Sequence, residues 1–343
     1  MAVKNRKFIV LILISTFLIT FSFYFYQVFF TANIQVEKKN AYLYIPDSAS
    51  YQTVIDSLTK KKVIQDILSF RFVSKLVGYP TKVRPGRYLL ESNTSNLYTI
   101  LKLRSGKQNP VKVTFTNVRL KKNLSGKICR NLELDSLAFD RLISNQEWVQ
   151  KYGFDTTTIV CMFIPNTYEM YWNISSEKLF KRFYHEYQSF WNNQRREKAN
   201  AMGLTPIQVT ILASIVEVET GSKEERPRVA GVYINRLNKN MRLQADPTIV
   251  FAIGNFELKR VLAKHKKIDS PYNTYKYSGL PPGPIYIPSI TSIDAVLNYE
   301  KHDYLYFCAK EDFSGNHRFS ISFEEHLKNA QRYQKALNQA HIN

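Results

Sequence analysis

An apolar run from Phe8 to Phe30 is the feature that most constrains this chain. Its polar members, Ser15, Thr16, Thr20, Ser22 and Gln27, are mild, and about 20 residues of this character are enough to cross a bilayer as a helix. Such a stretch has no place on a water-soluble surface, so the globular part has to be built from the residues after Phe30. Lys4, Arg6 and Lys7 precede the run. The positive-inside rule therefore puts residues 1–7 in the cytoplasm and the chain from Thr31 onward outside. A cleaved signal peptide is the rival, but it has a shorter apolar core and a small-x-small cleavage site. The residues from Phe29 to Asn33 match such a site poorly, which favours a retained, single-pass anchor.

The remainder of the 343 residues allows one large domain or two modest ones, and 44% hydrophobic against 22% charged content is that of a globular chain rather than a disordered one. The net charge of +20 is spread over short runs, Lys60 to Lys62, Arg119 to Lys122, Arg195 to Lys198 and Lys264 to Lys267. Short runs read as solvated faces, and an exported domain rarely meets nucleic acid. Attraction to an anionic polymer or a membrane surface is the economical reading. Cys129, Cys161 and Cys308 have no metal-site spacing. Buried free thiols are expected, a disulfide stays open, and no cofactor or metal is expected.

Periodicity divides the exported part. Asn33 to Asn40 reads as a polar linker. Ala41 to Ile45 alternates as a strand, Ser50 caps a helix over Tyr51 to Lys60, and Ile64 to Val77 has helical spacing. A turn at Arg84 to Gly86 leads to a strand, and Leu97 to Arg104 is a helix closed by Gly106. This is a small α+β module. Pro110 to Val118 comes next as a strand, with helices over Leu124 to Lys151 and Glu177 to Arg195. Thr205 and Pro206 cap and open a helix that runs to Glu219, and Ser222 to Glu225 has the pattern of a capping box for the next one. A short helix at Ile293 to Tyr299, a strand at Tyr304 to Ala309 and an amphipathic helix from Ser322 to Gln339 complete the chain.

The helix ending at Glu219 carries the strongest chemical signal. On a wheel of 100° per residue, Ile207, Ile211, Leu212, Ile215, Val216 and Val218 share one arc. Glu219 falls inside that arc, and Glu217 falls on the opposite, solvent side. A carboxyl group on the buried face is desolvated and holds its proton towards neutral pH, as a general acid must. The alternatives are a frayed last turn before Gly221 or an ion pair with Arg236.

Five ordered segments extend this signal: Ala213 to Thr220; Val232 to Leu237; Met241 to Thr248; Tyr272 to Tyr275 with Gly279 to Ile285 after it; and Tyr304 to Phe307 with His317, Phe319 and His326. Together they resemble the YceG-like endolytic murein transglycosylases (MltG). The resemblance implies an α+β protein in five parts: a cytoplasmic tail (1–7), a transmembrane helix (8–30), a linker (31–40), a small LysM-like module (41–107) and a mixed α/β catalytic domain (108–343). It also implies lytic cleavage of the β-1,4 bond between N-acetylmuramic acid and N-acetylglucosamine in peptidoglycan glycan strands. The product is a 1,6-anhydro end, formed with one glutamate as acid and then base. That glutamate aligns with Glu219.

Glu217, Asn235, Arg236, Gln244, Asp246, Tyr272, Asn273, Thr274 and Tyr275 are candidate substrate-binding residues, each with a structural alternative. Asn235 and Arg236 suit an N-acetyl group or a lactyl carboxylate, or a buried ion pair. Asp246 suits the site or a helix cap, and the stretch from Tyr272 to Tyr275 a glycan groove or an aromatic loop. Hydrolysis with Asp246 as base, or glycan binding without catalysis, are the competing functions. The sequence departs from the family pattern at Val218, where a lysine is familiar, at Asn166, where an acid is, and at Val160 to Met162, which replace a Glu-Gly pair. Peptidoglycan synthases are the protein partners the resemblance implies, through a role in ending strand elongation at the inner membrane.

Overall fold

The computed structural model describes residues 2–36, 41–116, 118–258 and 260–340. They form two compact units. One comprises residues 1–112, 131–134 and 169–174, and the other residues 113–130, 135–168 and 175–343.

The first unit begins with α1 (Ala2–Phe30), in which Arg6–Phe30 is long and apolar enough to cross a membrane. Then come β1 (Ala32–Ile34), β2 (Ala41–Ile45), α2 (Tyr51–Lys60), α3 (Ile67–Leu76), β3 (Gly86–Leu90), β4 (Thr94–Ser95) and α4 (Asn96–Ser105). β2 and β3 pair antiparallel, with Ala41 opposite Leu90 and Ile45 opposite Gly86. Ile55, Leu58, Phe70, Val73 and Tyr88 fill the core beneath them. Gly86 has φ +141°, and a Cβ there would stand 2.6 Å from the Gln108 amide, so glycine is needed where β3 begins.

The linker reading fails at its start. β1 pairs with β4, and Ile34 is fully buried in the same core; residues 37–40 lie outside the described residues. A buried amide network makes this segment part of the fold. Asn33 Nδ2 donates to the Asp66 carbonyl (2.8 Å) and to Asn96 Oδ1 (2.6 Å), while Asn33 Oδ1 accepts from the Asp66 amide at 2.7 Å. Asn96 Nδ2 in turn donates to the Val28 carbonyl at 2.9 Å and to Ser69 Oγ at 3.0 Å. The end of α1 is therefore tied to α3 and α4. The helix expected over Ile64 to Val77 starts only at Ile67, because Asp66 caps it by accepting from the Leu68 and Ser69 amides.

β5 (Val111–Phe115) and β6 (Asn166–Met170) form a two-stranded sheet, and the boundary between the units falls within both. The second unit continues with α5 (Lys121–Cys129), α6 (Ser136–Ile143), α7 (Gln146–Gln150), α8 (Ser176–Phe190) and α9 (Asn193–Ala201). The helix expected over Leu124 to Lys151 is thus three helices, because Asp135 and Asn145 each cap a new start. Asn192 likewise ends the long helix at Phe190 and caps α9. Phe115, Phe139, Phe163, Tyr168 and Phe183 form an aromatic core, with Phe163 and Phe183 centroids 5.2 Å apart.

α10 (Pro206–Glu219) is the central helix. Thr205 and Gln208 cap it reciprocally, and every residue from Val209 to Val216 is buried. α9 and α10 together approach the length of a membrane span, but they meet at 77° and α10 is buried in protein. Around α10 lie α11 (Arg226–Asn238), α12 (Asp246–Ile253) and α13 (Ile290–Leu297). β7 (Tyr306–Ala309) pairs antiparallel with β8 (His317–Ser320), and α14 (Phe323–Gln339) packs on both. The capping box expected at Ser222 does not form. Ser222 Oγ donates to Glu224 instead, α11 starts after Glu225 with Pro227 in its first turn, and Glu225 accepts from His317. Cys129 and Cys161 are buried thiols, Cys308 is half-buried, and all three are free.

Candidate active site

α10 ends on Glu219, and the next residue, Thr220, is already extended. A carboxyl group there meets the negative end of the helix dipole and little water. Tyr233, on the neighbouring α11, donates its hydroxyl to Glu219 Oε1 at 2.6 Å. Burial pushes the Glu219 carboxyl from 4.5 up to about 7; the Tyr233 hydrogen bond and the Arg236 charge pull it down, and Asp246 pushes it further up. Burial and the adjacent Glu219 hold the Tyr233 hydroxyl far above its ordinary range, so it stays a donor. Glu219 can thus give up or accept a proton near neutrality.

Two cavities of about 390 Å³ and about 340 Å³ are both lined by Glu219 and Asp246. The larger also has Val218, Phe251, Phe256, Arg119 and Arg260 on its wall, with the Arg119 guanidinium 4.5 Å above the Phe256 ring. The smaller has Tyr233, Arg236, Gln244, Lys266, Tyr306 and His326. There Lys266 stands 4.1 Å from the Tyr275 centroid, and the Tyr306 and His326 rings stack at 5.4 Å. Burial lowers the His326 pKa, favouring the neutral ring. Flat aromatic faces and cations on both sides of one protonatable carboxyl suit an anionic carbohydrate chain lying across it.

The candidates from the sequence fall into two groups. Asp246, Gln244, Arg236 and Tyr275 line the smaller cavity with Glu219. Asp246 is the first residue of α12 rather than its cap, which is Ala245. Its Oδ1 accepts from the Tyr275 hydroxyl at 2.5 Å, with Lys266 3.7 Å away. Gln244 has φ +53°, a strained conformation for a side-chain-bearing residue. Its backbone N–H donates to the Thr274 carbonyl at 3.0 Å. Arg236 makes no ion pair with Glu219. Its guanidinium is buried against the carbonyls of Leu305 and Leu243, both at 2.6 Å.

Asn235, Asn273 and Thr274 serve the scaffold. Asn235 Nδ2 donates to the carbonyls of His302 (2.6 Å) and Tyr304 (3.0 Å). Asn273 is fully buried and bonds the Lys266 and Ile268 carbonyls, and Thr274 Oγ1 accepts from the Ala245 amide at 2.9 Å. These bonds fix the loop that presents Lys266 and Tyr275. Tyr272 packs on Phe251 at 4.7 Å behind the larger cavity. The close approach of Gly283 to Thr157, 2.6 Å from where a Cβ would be, and the Ser214 Oγ acceptor for the Ile285 amide (3.1 Å) seat the proline-rich loop against α10.

Two wheel assignments are corrected. Val218 is not buried; it is exposed on the cavity wall. Glu217 does not face solvent. It accepts from Arg226 (3.4 Å), from the Ser289 amide (3.1 Å) and hydroxyl (2.5 Å), and from Ser292 Oγ, which ties α10 to the start of α13. The histidines divide. His302 bonds the Arg228 carbonyl at 2.9 Å and His317 bonds Glu225 at 2.9 Å, whereas His326 lines the smaller cavity. The segment at Asn166 is strand β6, with the Tyr168 hydroxyl on the Ile164 carbonyl at 2.5 Å.

Sequence reasoning passed over Tyr233, Arg119, Lys266, Phe251 of α12 and Phe256 just after it. Tyr233 carried a usable signal: a tyrosine among the apolar positions of a helix needs a partner for its hydroxyl. Arg119 sat in a basic run read as a solvated face.

Comparison with known proteins agrees with this architecture. A protein from Bacillus subtilis named endolytic murein transglycosylase is 44% identical over 128 residues, covering 37% of this chain and 35% of that protein. Proteins of the same name from two Streptococcus pneumoniae strains are 27% identical over 85% of this chain and 58% of their own length. The chain thus spans little more than half the length of the pneumococcal relatives and about a third of the Bacillus one. A crystal structure of a YceG-like protein from Listeria monocytogenes superposes with a TM-score of 0.55 at 27% identity, over 85% of this chain and 99% of that one. The family model described as YceG-like family matches residues 43–332, and on that span the chain belongs to the YceG-like family.

Proposed function

We propose that the chain is an endolytic peptidoglycan lytic transglycosylase with Glu219 as its single general acid and base. The observation that carries this reading is the Glu219 carboxyl, raised to about 7 and set where both cavities meet. The names of the relatives support the substrate class. A glycan strand would lie with sugars in each cavity and the scissile bond over Glu219. Glu219 would protonate the glycosidic oxygen as the bond from the muramic anomeric carbon breaks. It would then take the proton of the muramic C6 hydroxyl as that oxygen closes on the same carbon. Glu219 returns to its starting state, no water is consumed, and the end left behind is 1,6-anhydro. Arg236 and Lys266 are positioned to meet lactyl or peptide carboxylates, and Gln244 to read an amide or hydroxyl.

Asp246 supports the same reading as an electrostatic neighbour. Its charge helps keep the proton on Glu219. The hydrolytic alternative would need it as a base towards water, but its Oδ1 already accepts from Tyr275.

The β2-α2-α3-β3 arrangement supports the LysM-like reading of the first unit, with glycan binding as its role. α1 is compatible with a single-pass membrane anchor, and Lys4, Arg6 and Lys7 favour a cytoplasmic N-terminus with the chain from Thr31 onward outside. Cutting close to the membrane would end nascent strands beside the synthases that extend them.

The test is digestion of purified peptidoglycan by the detergent-solubilised full chain, read by mass spectrometry beside Glu219→Gln. Internal fragments with anhydromuramic ends, absent with the variant, are expected. Reducing ends instead would assign hydrolysis, and cleavage that survives the substitution would remove Glu219 from the chemistry.

A further inference from the structure

We infer that the exposed face of α3 lies in the lipid headgroup region of the membrane that α1 spans, so that the first unit rests on the bilayer at a fixed height instead of hanging from its anchor. The inference rests on α1 as a span and goes beyond the catalytic reading. The outward face of α3 carries Leu68, Phe72 and Leu76, exposed by 76%, 52% and 60%. Residues four apart on a helix share a face, so the three form one apolar stripe. Arg71 and Lys75 are the charged residues exposed along the same helix, and no acid lies between Ile67 and Leu76. An apolar stripe with bases at its side, long enough to snorkel, is the composition of a helix lying in a membrane interface. Three large apolar side chains contiguous on one exposed face mark an interaction surface.

Continuity with the span says what covers the stripe. The Phe72 ring meets Phe29 edge-on at 6.4 Å between centroids, and Phe29 is in the last turn of α1. Leu68 and Leu76 are each about 6 Å along the helix axis from Phe72. None of the three can then stand more than about 12 Å, roughly two helical turns, from the level of Phe29 at the end of the span, whatever the tilt of α3. The Asn33–Asn96 network holds α3 in that place, since it bonds the Val28 carbonyl of α1, Ser69 of α3 and the backbone of Asp66. A hinge at the membrane exit would need those buried bonds to break.

The full chain is reconstituted into phosphatidylglycerol–phosphatidylethanolamine vesicles with an NBD fluorophore on Leu68→Cys or Leu76→Cys, in a Cys308→Ser background because Cys129 and Cys161 are buried. Sedimentation with vesicles after alkaline carbonate checks the span separately. The expected result is blue-shifted emission, several-fold lower quenching by iodide than for the dye–cysteine adduct in buffer, and strong quenching by lipids spin-labelled near the headgroup. These should not change with protein-to-lipid ratio. Iodide quenching equal to the free adduct in sedimenting protein overturns the inference alone, while failure to sediment removes the span and the inference with it. Protection that grows with protein density, without quenching by spin-labelled lipid, means a second copy covers the stripe and also overturns it.

Discussion

Glu217 and Glu219 leave one helix two residues apart and enter opposite surroundings. Glu217 accepts from the Arg226 guanidinium, the Ser289 amide and the hydroxyls of Ser289 and Ser292. That set of donors, one of them cationic, ties α10 to α13 and to the start of α11. Glu219 accepts from one neutral phenol, with Asp246 close enough to oppose its ionisation. Residue type and depth therefore do not decide what a carboxyl group does. The donors around it do. A carboxylate surrounded by donors builds structure, whereas one that is desolvated beside another acid keeps its proton ready for transfer.

Neutralising each glutamate in turn puts the largest strain on this contrast. Glu219→Gln should lower the rate of glycan cleavage by at least about 10³-fold, the range of a lost general acid, in a protein that melts no lower than the wild type. A variant keeping a tenth of the rate would put the acid elsewhere. Glu217→Gln should do the reverse. It leaves the buried Arg226 without its carboxylate and should cost about 3 kcal/mol of unfolding free energy, measured by denaturant titration, while the folded fraction cleaves within about tenfold of wild type. Should Glu217→Gln prove stable and inactive, the two roles would have to be exchanged.

Much of the first unit was readable because its signals are local. Alternation at Ala41 to Ile45, the Ser50 cap and Gly106 with φ +74° each act within a few residues. What escaped is set by distant partners. Residues 32–34 look like linker but become a strand because Ile34 has a core to enter and Asn33 meets Asn96. The wheel of α10 assumed a polar side, but Val209 to Val216 are buried all round, so periodicity had no contrast to report. Glu217 and Val218 were misplaced for that reason. The pairing of Tyr233 with Glu219 depends on how α10 and α11 pack, which no spacing within either helix encodes.

The contrast also predicts a stability difference that depends on pH. Glu219 is raised from 4.5 in an unfolded chain to about 7 when folded. It binds its proton more tightly in the folded state, so its contribution is complete below about pH 4.5 and is lost as pH rises through about 7. Groups common to both proteins cancel when wild type is compared with Glu219→Gln. The variant should therefore gain relative to wild type from pH 4.5 to 7, ending more stable at pH 8 by on the order of 2 kcal/mol, a figure already reduced for the partial exposure of the carboxyl. Parallel pH–stability curves would mean that Glu219 is as well solvated as an ordinary surface acid.

The smallest effect tests the electrostatics most directly, because two substitutions should move one titration in opposite directions. A general acid works only while protonated, so cleavage should fall as pH rises past about 7, where Glu219 ionises. The Tyr233 hydrogen bond favours the ionised carboxylate, and its loss in Tyr233→Phe should shift that alkaline limb to higher pH. The Asp246 charge favours the protonated form, and Asp246→Asn should shift the limb to lower pH. Each variant should also lose about tenfold in rate at its own optimum, the scale of one hydrogen bond or one nearby charge. Loss of rate alone would fit disturbed packing in either variant. Opposite displacement of the limb requires that one carboxyl group feels both neighbours, and shifts in the same direction would show that the titrating acid is not Glu219.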